Sequence, residues 1–287
     1  GYFTTYPRDP DLYFAFENPP NPKHEIYLRK GAKTEAQRMK IQQKKKLYFD
    51  AKMSSIPAGK YHTWLISTEQ FFVLDPSSIL ELKNYLSRFS RNIRVLFYIR
   101  EHVACAISQR SQYARAGDVP LKDLVRAESD YASVLKNWVK VFDREDMDVR
   151  LFSRNSLVKG DIVSDFFNAV GVERGLKSQG SQVNPALSDV GVRLLGKINE
   201  KMPKVINNEP NPIKNYAREV FEKHLTSGPG YVPSETEISS IEALHKESDQ
   251  WVLDNFFPDQ ELLFERYSKK DVTPLGQDEL LDQIAAA

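Results

Sequence analysis

The chain has 287 residues, of which 41% are hydrophobic and 28% charged, and its net charge is +1. That is enough apolar material for one large α/β domain or two small ones, and with so small a net charge any basic site must be local. A single cysteine, Cys105, excludes a disulfide framework and a multi-cysteine zinc site, and no run of about 18 apolar residues is present to cross a bilayer.

Residues 1–31 are rich in Pro, Asn and aromatics and read as an extended, irregular segment. No signal peptide is expected, because residues 1–8 carry aromatic and polar side chains where its apolar core would lie. A start without methionine points to a fragment or a processed chain. Residues 32–54 predict a long polar helix with a thin apolar face of Met39, Leu47, Phe49 and Met53; Lys44, Lys45 and Lys46 read as a solvated face. After a turn at residues 57–59, Tyr61–Ser67 predicts a strand, and Asp75 or Ser77 caps a helix running to about Phe89.

Residues 93–99 form a nearly unbroken β-branched and aromatic run, which predicts a strand buried on both faces. The order strand, crossover helix, strand predicts a right-handed βαβ unit with parallel strands. It places Glu69 and Arg100 after neighbouring or near-neighbouring strands at one sheet edge. From Glu101 onward Val103, Ala106 and Ile107 recur at helical spacing, so strand becomes helix across Arg100. An arginine and a helix N-terminus at the carboxyl end of a parallel strand are where open α/β sheets bind phosphates. Ser108, two helical turns on, brings a hydroxyl toward the same anion. From these residues alone, a solvated strand-end charge and a surface serine are the usual reading. Cys105 reads as a buried, inert thiol, which favours a reducing compartment.

A helix is expected over residues 121–142, its core face made by Leu124, Tyr131, Leu135, Trp138 and Phe142. A strand at Val149–Phe152 follows, then a helix over residues 156–170 ending at a C-cap glycine, Gly171. Asn184 falls in the turn before a helix that holds Leu194, Leu195, Ile198 and Asn199. The remainder is expected to be helical, with a break at residues 228–230, a helix over 241–257 and a short one at 277–284. The whole reads as one α/β domain over residues 1–287, its sheet core in 61–171 and a mainly helical part in 186–287.

No Gly-x-x-x-x-Gly-Lys-Ser/Thr loop, Gly-x-Gly-x-x-Gly turn or Gly-x-Ser-x-Gly elbow occurs. No His-Glu-x-x-His or His pair at ligand spacing is present, so no metal is expected.

The strand ending at Arg100, with a serine eight positions on, resembles the 3′-phosphate-binding element of sulfotransferases that use 3′-phosphoadenosine 5′-phosphosulfate (PAPS). The stretch from Tyr98 to Gly117 is similar to that of bacterial carbohydrate-type members, where a serine precedes a Tyr/Gln cluster and a basic residue, here Gln112, Tyr113 and Arg115. Ser67-Thr68-Glu69 is similar to their Ser-Ser-Glu, and residues 184–188 look like their Asn-x-Ser-Leu-Ser step, with Ala186 where a serine is usual. The likeness runs through residues 61–264 as an ordered series of short matches. It implies a P-loop-like three-layer α/β/α fold with a central parallel sheet. Arg100 and Ser108 would hold the 3′-phosphate of PAPS, and Glu69 would take the acceptor proton. Gln112, Tyr113, Arg115 and Asn184 would face a carbohydrate or other hydroxyl-bearing acceptor. No metal, nucleic acid or membrane span is implied, and the setting would be cytoplasmic.

One departure stands out. Thr5-Tyr6-Pro7-Arg8 resembles the first half of the loop that grips the 5′-phosphosulfate, but Asp9-Pro10-Asp11-Leu12 lacks its glycine and both hydroxyls. Without glycine no backbone nest forms there, so that loop is expected either before residue 1 or not at all. Two other readings stay open. One is a non-catalytic, sulfotransferase-like structural or carbohydrate-binding module of a larger protein. The fainter one is a glycosyltransferase, to which Asp9-Pro10-Asp11 would supply a metal motif although no credible strand precedes it.

Overall fold

The structure, a computed structural model, describes residues 2–4, 15–20, 27, 30–55, 63–117, 130–171, 187–202, 205–206, 209–211 and 229–268. It is a mixed α/β, helix-rich chain with a small parallel sheet. The elements are β1 (Tyr2–Thr4), α1 (Glu35–Ser54), β2 (Thr63–Leu65), α2 (Pro76–Leu86), β3 (Val95–Ile99) and α3 (His102–Arg115). They continue with α4 (Tyr131–Val139), β4 (Met147–Leu151), α5 (Ile162–Ala169), α6 (Asp189–Lys201), β5 (Val205–Ile206), β6 (Glu209–Pro210) and α7 (Glu235–Phe256). The chain divides into two compact units, Gly1–Leu96 with Ala132–Asp148, and Phe97–Tyr131 with Val149–Ala287.

In the first unit β1 pairs with β2 in parallel, Phe3 opposite Trp64. This corrects the reading of residues 1–31 as irregular throughout. A three-residue strand is too short to show alternation, and its partner lies some sixty residues away. Helix α1 starts at Glu35 because Thr34 and Gln37 form a capping box, the Gln37 N–H donating to Thr34 Oγ1 at 3.3 Å. Asp75 caps α2 by accepting from the Ser78 N–H at 2.8 Å. The pairs Lys46–Glu81 at 3.0 Å and Arg88–Asp50 at 3.1 Å join α1 to α2 and its trailing turn. Beneath them the core is aromatic: Phe16 packs on Tyr85, and Trp138 on Phe71 and Phe142. Each large side chain buried this way contributes about 1.5–3 kcal/mol.

β3 pairs with β4, and the Ile99 carbonyl accepts one further bond from the Phe152 N–H at 2.7 Å. Phe97 and Ile99 are buried while Val95, Leu96 and Tyr98 are half-buried, so one face carries the burial rather than both. Among the described residues the ladders are β1–β2, β3–β4 and β5–β6, and β2 is not paired with β3.

In the second unit α3 packs against α6 and α7. Ala114 meets Leu187, Val192 and Leu195, and Val103 meets Ile238 and Ile241. The helix expected from residue 156 begins only at Ile162. Lys159 and Gly160 take positive φ values of 56° and 65°, and Asp161 then caps α5 through the Ser164 N–H at 2.8 Å. That helix stops where Gly171, at φ 72°, adopts the left-handed conformation, as the sequence leads one to expect. Asp165, 1% exposed, is held by Arg150 through two bonds of 2.6 and 2.9 Å, by the Tyr98 hydroxyl at 2.7 Å and by the Val158 N–H at 3.0 Å. The arginine fork and these donors pull its carboxyl down to about 2.

Candidate functional site

Arg100 is the first of the two residues, Arg100 and Glu101, at which β3 has ended and α3 has not begun. Its N–H donates to the Tyr131 hydroxyl at 3.1 Å, and that hydroxyl donates to the Arg100 carbonyl at 2.7 Å. The guanidinium lies over the Phe152 ring, 5.6 Å from its centroid, and makes no ion pair or hydrogen bond among the described residues. A half-buried arginine whose nitrogens are in no hydrogen bond among the described residues keeps a planar fork of donors for an anion.

The helix N-terminus beside it is already taken. Glu101 caps α3, its carboxylate oxygens accepting from the N–H groups of Val103 and Ala104, each at 2.7 Å. Burial pushes the Glu101 carboxyl above its ordinary value, against those two bonds and the neighbouring His102 and Arg100, which hold it down. An anion at this corner would therefore be gripped by side chains, with the helix dipole partly neutralised.

Ser108 lies seven positions past the cap, on the same side of α3 and about 10 Å further along its axis. Its hydroxyl has no hydrogen-bond partner among the described residues. Gln112 is exposed one turn beyond, and Tyr113 and Arg115 are half-buried with partners of their own. Cys105, expected to be buried, is half-buried and unoxidised. Glu69 opens a 3-10 turn, Glu69–Val73, behind the cap residue Thr68. Its carboxylate is exposed and without a partner among the described residues. Glu69 belongs to the first unit and Arg100 to the second. Asn184 lies outside the described residues, as do residues 5–14, where the incomplete loop and Asp9-Pro10-Asp11 fall.

No family model matches the chain, and no solved structure does. One curated relative, an uncharacterized protein of Archaeoglobus fulgidus, is 25% identical over 143 residues, 48% of this chain and 38% of that protein. The chain thus spans well under half the length of the relative it matches.

Sequence reasoning missed what lies under the corner. His102, 4% exposed, stacks on His245, 2% exposed, with ring centroids 3.8 Å apart and planes 2° from parallel. His102 Nε2 is 2.7 Å from the Asp249 carboxylate, and its ring also packs on Tyr131 at 4.9 Å and edge-on to Phe264 at 5.5 Å. The signal available was His245 and Asp249 at i, i+4 on α7, which share a helix face. Ser248 on the same helix donates to Asp130 at 2.8 Å. Among the described residues no group of three His, Cys, Asp or Glu could hold a metal ion, and no helix is long and apolar enough to cross a membrane. An open depression of 460 Å³ lies over Glu235, Ser239 and Ala243 at the start of α7 and includes none of the expected site residues.

Proposed function

We propose that this chain is a sulfotransferase, moving a sulfuryl group from PAPS to a hydroxyl of a carbohydrate or glycoconjugate, on a P-loop-like three-layer fold in a cytoplasmic setting. The observation that carries the reading is the Arg100 guanidinium at the strand-to-helix corner, in no hydrogen bond or ion pair among the described residues, with the Ser108 hydroxyl further along α3 likewise without a hydrogen bond among them. A fork and a hydroxyl suit a nucleotide's 3′-phosphate, whose oxygens accept both. The donor supplies an activated sulfuryl group. Glu69 takes the acceptor's hydroxyl proton as the new O–S bond forms and the S–O bond to phosphate breaks, leaving adenosine 3′,5′-bisphosphate. The role of Glu69 rests on its resemblance and on its unencumbered carboxylate. Among the described residues this reading assigns no group to the 5′-phosphosulfate.

Calorimetric titration with adenosine 3′,5′-bisphosphate tests this. Wild type should bind, and Arg100→Ala should weaken binding by about 1.5–3 kcal/mol, the range for a lost charge-assisted contact. Equal affinity in the two proteins would reject the reading.

A second reading, a non-catalytic carbohydrate-binding module, draws support from Glu101, whose carboxylate fills the α3 N-terminus where an anion would gain most. Retention on immobilised polysaccharide with no nucleotide binding would favour it.

A further inference from the structure

We infer that Tyr131 is the positioning residue for the anion grip, its single hydroxyl fixing the backbone of Arg100 so that the guanidinium is presented in one direction; this rests on the reading of Arg100 as the 3′-phosphate ligand. Residue 100 has left the β3 ladder and has not entered α3, so neither regular element pairs its backbone groups. Both are part-buried polar groups that cost free energy if left unmade. One hydroxyl serves both, accepting from the N–H at 3.1 Å and donating to the carbonyl at 2.7 Å. With both ends of the peptide geometry tied to one oxygen, rotation about the backbone that carries the side chain is closed off.

The tyrosine itself is held. It is 4% exposed, its ring lies 4.9 Å from His102 and 6.2 Å from Phe264, and His102 is in turn stacked on His245 and bonded to Asp249. Burial also pushes the phenol far above its ordinary value, so the hydroxyl keeps its proton and its donor role at any working pH. A purely packing role for Tyr131 would need the ring alone. The two bonds to one backbone residue are what packing does not require.

The test separates the two roles. Tyr131→Phe keeps the ring and deletes the hydroxyl. Wild type and variant are titrated with adenosine 3′,5′-bisphosphate and with adenosine 5′-monophosphate, and the calorimetric stoichiometry counts folded sites. The bisphosphate should lose about tenfold in affinity in the variant while the monophosphate changes little. Phe264→Leu, which loosens the same ring without touching Arg100, should lower the melting temperature and leave the ratio of affinities unchanged. In the wild-type protein, hydrogen exchange at the peptides holding Arg100 and Tyr131 should slow together on adding the bisphosphate and not the monophosphate. If wild type shows no preference for the bisphosphate, the reading of Arg100 falls and this inference with it. If wild type shows the preference and Tyr131→Phe retains it in full, or the two peptides do not respond together, only the inference is overturned.

Discussion

His102 Nε2 and Asp249 Oδ1 lie 2.7 Å apart beneath the β3–α3 corner, joining the first turn of α3 to the last third of α7. Because His102 is buried and stacked on His245, removing the carboxylate takes a 2.7 Å bond from a buried ring nitrogen. Asp249→Ala should therefore cost about 1.5–3 kcal/mol of stability, read as a lower midpoint in urea unfolding with an unchanged slope.

Asp165 should govern the acid limb of the second unit. Its folded carboxyl sits at about 2, below its unfolded value, so its contribution is present above the unfolded value of about 4 and is lost as pH falls toward 2. The shift corresponds to about 2 kcal/mol, and Asp165→Asn should flatten that part of a stability-against-pH curve. The substitution also removes the charge that the Arg150 fork holds, so stability at neutral pH should fall as well.

Glu101 opposes any anion brought to Arg100. Glu101→Gln removes that charge and should tighten adenosine 3′,5′-bisphosphate binding by about three- to tenfold at low salt, less at high salt. Since the folded carboxyl is raised, the gain should be present above that raised value and vanish as pH falls through it, where wild-type Glu101 is neutral too. Titrations at several pH values read this directly.

Gly171 at φ 72° has nothing within 4 Å of where a Cβ would stand, so substitution there tests the backbone alone. Gly171→Ala should cost about 1 kcal/mol and Gly171→Asn less, because Asn tolerates the left-handed region. Thermal melts of the two variants give the comparison.

What could be read from the chain follows a physical divide. Residues whose neighbours are local announced themselves: Asp75 as a cap, Gly171 as a stop, the run to Ile99 as a strand and Arg100 as the corner. Residues whose role depends on distant partners did not. Tyr131 scored as core because its helical spacing is all a sequence displays, yet its hydroxyl serves a peptide 31 positions earlier. The α3 N-terminus looked open to an anion because capping by Glu101 is a side-chain choice that Ser, Thr, Asp and Asn usually announce better. The strand β1 escaped notice because parallel pairing leaves no mark on three residues.

The alternation of segments between the two units has its own outcome for biosynthesis. The first unit is completed by Ala132–Asp148, which leaves the ribosome after Phe97–Tyr131, a segment of the second. Leu135, Trp138 and Phe142, which complete its buried interior, are among the last of its core to emerge from the ribosome. Neither half can be expressed as a contiguous stretch, and a stop codon between residues 96 and 132 would release a nascent chain with its apolar interior unsealed.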